Sequence, residues 1–74
     1  MNALPIIRDA FVDSDIKNVL IIMSDNNGNN MTSLNPDGME DLSVYMEEKG
    51  IKKLNMNSAT VINGTLKLLC EYEK

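Results

Sequence analysis

The sequence predicts an α+β fold of order ββαββ, with four strands and one helix in a single domain that spans residues 1–74. Residues 19–23 are the only run of five large aliphatic side chains, and an Asn-Gly pair follows them shortly afterwards. A second Asn-Gly pair, at Asn63-Gly64, separates two apolar segments. Between the two pairs, residues 38–49 have helical periodicity. We therefore expect a mainly antiparallel four-stranded sheet with the helix packed on one face.

The first hairpin is expected to join Asn18–Ser24 to residues 30–35. Asn27 and Gly28 both tolerate positive φ, which a two-residue type I′ turn requires. This turn sets the cross-strand pairs Ile21 with Leu34, Ile22 with Ser33, Met23 with Thr32 and Ser24 with Met31. The apolar strand is then an inner strand, and the polar strand lies nearer an edge.

The helix over residues 38–49 has signals at both ends. Asp37 as the N-cap and Glu40 three residues later match a capping box. Gly50 suits the left-handed residue that ends a helix, and Ile51 suits the apolar contact that follows a Schellman stop. The side chains expected to face the core are Met39, Leu42, Tyr45 and Met46.

The N-terminal region predicts a short helix between Leu4 and Asp15. Pro5 suits a first helical position, and Ile7, Ala10 and Phe11 then fall on one side. The alternative is an extended arm that reaches a neighbouring chain.

The last third of the chain allows either a helix or a hairpin over residues 58–72. The cluster from Thr60 to Thr65 contains weak helix formers, which favours the hairpin about Asn63-Gly64. On one face of this hairpin the expected pairs are Val61/Leu66, Ala59/Leu68 and Asn57/Cys70. On the other face they are Ile62/Thr65, Thr60/Lys67 and Ser58/Leu69.

Composition limits the classes of function. The formal charge is −4, from seven basic and eleven acidic residues, so neither nucleic acid nor a membrane surface is an expected partner. With no histidine and only Cys70 as a thiol, no disulfide, zinc site or cofactor is expected. The N-terminus lacks signal-peptide features, and no apolar run approaches the roughly eighteen residues of a membrane helix. We expect a cytoplasmic protein.

No motif indicates catalysis. Asp25 to Asn30 offers oxygen ligands at alternate positions, but Asn30 and Pro36 stand where a calcium loop needs its glycine and its bidentate acid. Cys70 has no histidine to act as its base. Adjacent carboxylates such as Glu47 and Glu48 are explained by solubility, so we expect no enzymatic activity.

Four consecutive segments share a pattern with known proteins. They are the strand Lys17 to Ile22, the turn Asp25 to Asn29, the return strand Met31 to Leu34 and the helix Met39 to Lys49. Over residues 18–50 the chain resembles small phage and prophage proteins of uncharacterised function. The likeness covers under half of the chain and leaves residues 51–74 outside it. It implies a phage-related origin and supplies no functional residues.

We predict a small non-enzymatic protein-interaction module that binds and modulates or inhibits a host or viral protein. One helix covers one face of a sheet, whereas residues 19–23 place large side chains on both faces, so we also expect a homodimer. One alternative is a homo-oligomeric binder of a small anionic ligand such as a nucleotide, held by Asp37-Gly38 amides with Lys52 or Lys53. The other is a purely structural or assembly protein.

The partner site is predicted on the solvent side of the helix, at Asp41, Val44, Glu47 and Glu48. An aliphatic side chain rimmed by carboxylates suits a basic target with a small apolar pocket, because the charges speed encounter and the buried group adds affinity. A single exposed valine on a charged helix face is also ordinary. The polar edge strand, residues 30–35, is the next candidate.

Overall fold

The computed structural model describes all 74 residues, which form two helices and four strands. In chain order the elements are α1 (Leu4–Val12), β1 (Asn18–Ser24), β2 (Thr32–Leu34), α2 (Met39–Lys49), β3 (Lys53–Ile62) and β4 (Thr65–Glu73). The strands form one sheet in the order β2-β1-β4-β3. β1 pairs antiparallel with β2, and β3 pairs antiparallel with β4, but the two central strands, β1 and β4, run parallel.

The α+β class and the four-stranded sheet are therefore confirmed, and β1 is an inner strand as expected. The description "mainly antiparallel ββαββ" holds only roughly, because the sheet is mixed and a second helix precedes it. That helix is the short N-terminal helix expected between Leu4 and Asp15, and it has Pro5 in its first turn.

The first hairpin has the expected register but a different turn. Three of the predicted pairs, from Ile21↔Leu34 to Met23↔Thr32, are present, and the pairing stops before Ser24 and Met31. The type I′ turn at Asn27-Gly28 is wrong, because Gly28 has a φ of +77° whereas Asn27 is not in the left-handed region. A wider loop spans residues 25–31 instead.

The carboxylate of Asp25 organises this loop. Its Oδ1 accepts hydrogen bonds from the backbone N–H groups of Asn27 (2.9 Å) and Asn29 (2.8 Å), and its Oδ2 accepts one from Asn30 Nδ2 at 2.9 Å. The hydrogen bond from Asn29 has the largest effect and lowers the pKa of Asp25, desolvation opposes it, and the hydrogen bonds from Asn27 and Asn30 lower the pKa further. The loop is closed by the Asp25 carboxylate rather than by a two-residue turn, and its left-handed residues are Gly28 and Asn30.

The second hairpin is confirmed, and the alternative helix over residues 58–72 is wrong. Asn63 and Gly64 have φ values of +51° and +78°, as a type I′ turn requires. All the predicted pairs are present from Ile62↔Thr65 to Ser58↔Leu69. The pair Asn57/Cys70 is replaced by Met56↔Cys70, because Asn57 is the extra residue of a β-bulge.

α2 ends as predicted and begins differently. Gly50 is left-handed with a φ of +69°, and Ile51 N–H donates to Met46 O at 2.8 Å, which is the Schellman arrangement. The capping box is wrong: Gly38, not Asp37, is the N-cap, so the helix begins one residue later. The acid three residues after this N-cap is Asp41, whose Oδ2 accepts the Asp37 N–H at 3.0 Å.

Both helices pack on the same face of the sheet. Alternate residues of each central strand point towards them, and they join the helices in one buried cluster. The members of this cluster are Ala3, Ile7, Ala10, Val19, Ile21, Met23, Leu42, Met46, Ile51, Leu54, Leu66, Leu68 and Cys70. The N-terminal segment therefore adds to the side that α2 already covers and leaves the opposite face of the sheet without a helix.

Candidate interaction surfaces

The uncovered side of the sheet, hereafter the open face, carries a row of aliphatic residues at its centre. The register places Ile22 beside Leu69 and Leu20 beside Lys67 on β1 and β4. Leu20 and Ile22 are partly buried, whereas Leu69 is 41% exposed. Side chains alternate between the two faces of a strand, so all three point away from the helices.

Polar side chains surround this aliphatic row. Ser33 of β2 lies beside Ile22, and Ser58 of β3 lies beside Leu69, so hydroxyl groups flank the row on both sides. Towards one end of the sheet, Glu71 Oε1 accepts a hydrogen bond from Asn57 Nδ2 at 3.0 Å. An apolar centre within a polar rim is the usual anatomy of a protein–protein contact surface.

The four predicted partner-binding residues lie together on the solvent side of α2. Asp41, Glu47 and Glu48 are exposed, and Val44 between them is 50% exposed. Asp41 has a second role, since its carboxylate accepts the Asp37 N–H at the helix start. This surface and the open face point to opposite sides of the molecule, because α2 packs on the covered side of the sheet.

The residues proposed for an anionic ligand are not gathered in one concavity. The concavity beside Asp37 and Gly38 is also lined by Glu40, Asp41 and Val44, and no lysine faces it. Lys52 and Lys53 line a separate concavity with Asn2, Leu4 and Asn55. The start of α2 therefore has an acidic surround, which opposes a bound anion despite the favourable helix dipole.

The chemically reactive side chains have structural roles. Cys70 is buried in the core, and desolvation raises the pKa of its thiol to about 11. A thiol in that environment is protonated at neutral pH and is a poor nucleophile. Both carboxylate oxygens of Asp25 accept hydrogen bonds from residues of its own loop. No group of three or more histidine, cysteine, aspartate or glutamate residues is placed to hold a metal ion.

Sequence reasoning placed Leu69 with Ser58 on the correct face of the second hairpin, but it did not predict that Leu69 lies beside Ile22 or that β3 is the outer strand. The part of β3 from Asn57 to Ile62 is exposed at every residue, and Val61 and Ile62 are 56% and 60% exposed. The available signal was the hairpin pattern itself, which puts Leu69 opposite to the apolar face of Leu66 and Leu68. Its place beside Ile22 depends on the parallel pairing of β1 and β4, which has no local signal.

Comparison of the chain with protein-family models, with curated proteins and with solved structures found no match. Neither helix of the structure is long and apolar enough to span a bilayer.

Proposed function

We propose that this protein is a small non-enzymatic protein-interaction module that works as a homodimer and binds a partner protein on its open face. The observation that carries the proposal is the row of Leu20, Ile22 and Leu69, which neither helix covers. Apolar area removed from water contributes about 25 cal/mol per Å² to association. A row of this kind across two central strands is a natural centre for a contact surface.

A protein partner suits this face better than a small molecule does. Small-molecule sites are concave and enclose most of the ligand surface. None of the concavities on this molecule includes Leu20, Ile22 or Leu69 among its lining residues. The open face is an extended surface, and such a surface is best covered by another extended protein surface.

The acidic face of α2 is a second contact surface for the same partner class. Val44 supplies the apolar contact, and Glu47 and Glu48 favour a partner with basic residues around a small pocket. The resemblance of residues 18–50 to phage proteins favours a host or viral protein as the partner. A nucleotide-binding role has less support, because acidic side chains surround Asp37-Gly38.

Partner capture from a bacterial lysate with matched baits tests this function. We expect Leu69→Lys to lose a partner that the parent chain retains, because an ammonium group would be buried in an apolar contact. Leu69→Met should retain that partner, since it preserves apolar volume at the same position. Both variants should melt within a few degrees of the parent, because Leu69 is 41% exposed.

The second surface is tested by Glu47→Lys combined with Glu48→Lys. This double variant should weaken retention and reverse its salt dependence, while the melting temperature stays nearly unchanged because exposed charges contribute little to stability. If the parent, the open-face variant and the charge-reversed variant all retain the same proteins equally, neither surface binds a partner and the proposed function fails.

A further inference from the structure

Half of the outer edge of β3 is free, and the other half is already occupied. The N-terminal residues pair with β3 through Ala3 N–H to Leu54 O at 2.8 Å and Met56 N–H to Met1 O at 2.7 Å. Beyond Met56 no other strand lies on this side of the sheet. The stretch of residues 57–63, from the bulge to the first turn residue, is hereafter the free edge.

The direction of the backbone groups on the free edge follows from the turn. The two residues that flank a two-residue hairpin turn form a hydrogen-bonded pair, and such pairs alternate along an antiparallel ladder. Ile62 therefore directs its N–H and C=O towards β4, and so do Thr60 and Ser58. Ala59 and Val61 direct theirs outward, where the chain offers them no partner.

Beyond the β-bulge at Asn57, the free edge lacks the features that keep exposed edges from pairing. Natural edge strands are protected by short length, by charged side chains, by proline, by β-bulges or by a covering element. The opposite edge of this sheet is protected by length, because β2 has three residues. The free edge, Asn-Ser-Ala-Thr-Val-Ile-Asn, has no charged residue and no proline, and it contains the strand-favouring residues Thr60, Val61 and Ile62.

We propose that the free edge is the dimer interface, where it pairs antiparallel with the free edge of a second copy of this chain about a two-fold axis at Thr60. This inference rests on the self-association in the proposed function and names the surface that mediates it. The free edge runs from position 57 to position 63, so Thr60 is its centre and pairs with itself. Any other symmetric register leaves part of the free edge unpaired or runs into Met1.

This register satisfies the outward backbone groups. Ala59 of each copy lies opposite Val61 of the other, and each such pair exchanges both of its N–H···O bonds. The same pairs bring the methyl group of Ala59 against Val61, which is 56% exposed in the single chain. Thr60 lies against Thr60, and Ser58 lies against Ile62, on the open-face side. No like charges meet anywhere along the contact, so a second copy is a suitable occupant.

The paired edges make one continuous eight-stranded sheet. Residues directly opposite in an antiparallel pair point to the same face, so the two-fold axis is perpendicular to the sheet. The helices of both copies then lie on one side, and both open faces lie on the other. The dimer thereby presents the aliphatic row of Leu20, Ile22 and Leu69 twice on a single surface, which a partner can contact at two points.

Disulfide cross-linking of the full chain tests the register. In the non-hydrogen-bonded pair at the two-fold axis, Cα atoms lie about 4.5 Å apart, which is within the range that a disulfide spans. Thr60→Cys should therefore form a covalent dimer under mild oxidation. Ser58→Cys is the matched control: its two copies are displaced by four residues, roughly 14 Å along the strand, and should stay uncross-linked. Buried Cys70 is common to both variants and does not compete.

The outcomes separate this inference from self-association itself. Cross-linking of Thr60→Cys but not Ser58→Cys, at a protein concentration where the parent is dimeric by light scattering, supports the interface. A dimeric parent whose Thr60→Cys variant does not cross-link overturns the interface and leaves self-association intact. A parent that stays monomeric at high micromolar concentration overturns both.

Discussion

Replacing Leu68 with alanine should lower the free energy of unfolding by about 2–5 kcal/mol, whereas the same replacement of Leu69 should cost under about 1 kcal/mol. The two residues are neighbours on β4 with the same side chain, but Leu68 is fully buried and Leu69 is 41% exposed. Leu68 is paired with Ile21 at the centre of the core, so its truncation leaves a cavity beneath the helices.

Urea unfolding of the two alanine variants measures this difference. A domain of 74 residues has a total stability of only about 5 kcal/mol, so Leu68→Ala should be largely unfolded at moderate temperature while Leu69→Ala keeps a midpoint near that of the parent. Equal losses at the two positions would contradict the assignment of one face to the core and the other to the open face.

Gly64→Ala should cost about 2 kcal/mol, and Gly28→Ala about 1 kcal/mol. Both glycines are left-handed, with φ values of +78° and +77°, so both replacements carry the same backbone strain. A Cβ at Gly64 would also lie 3.1 Å from Lys17 Cγ, whereas a Cβ at Gly28 would meet nothing within 4 Å. The difference between the two losses of stability measures how closely the Asn63-Gly64 turn packs against Lys17, just before β1.

The carbonyl of Gly64 also holds the entry to the central strand. It accepts hydrogen bonds from Lys17 N–H at 2.6 Å and Asn18 N–H at 3.2 Å, which fix where β1 begins beside β4. Thermal unfolding of both glycine variants gives the comparison directly. If Gly28→Ala proved the more destabilising of the two, the contact of the Asn63-Gly64 turn with Lys17 and Asn18 would not be what holds the second hairpin against the start of β1.

Local chemistry made much of the fold predictable. Asn63-Gly64 fixed the register of the second hairpin because a two-residue turn leaves one pairing available. Gly50 and Ile51 fixed the end of α2 in the same way. The sequence was less informative at Asn27-Gly28, where the carboxylate of Asp25 offers the backbone N–H groups of its loop a better partner than the turn would.

The parallel pairing of β1 with β4 could not be predicted from local signals. It joins strands separated by β2, α2 and β3, and nothing in the pattern of either strand specifies the other as its neighbour. The side of the sheet on which α1 packs could not be predicted either, because Ile7 and Ala10 give the helix an apolar face without specifying which surface that face contacts. The position of α1 leaves the second face of the sheet uncovered, and the parallel pairing places Leu69 beside Ile22 on that face.

Among the candidate surfaces, too, one follows from a local sequence pattern and the others depend on long-range strand pairing. The solvent side of α2, with Val44 between Glu47 and Glu48, follows from helical periodicity and was predicted from the sequence. The open face needs the parallel register, which brings Leu69 beside Ile22. The free edge of β3 needs the strand order, which places β3 outermost.

Hydrogen exchange at three consecutive amides of the unmodified chain tests whether the protein forms a dimer through the free edge of β3. The Thr60 N–H points to β4 and should be protected at every protein concentration. The N–H groups of Ala59 and Val61 point outward, so they should be protected in concentrated protein and should exchange rapidly after dilution below the dimer dissociation constant. Rapid exchange of Ala59 and Val61 at all concentrations, with Thr60 protected throughout, would contradict the account, because the edge would then be free in solution.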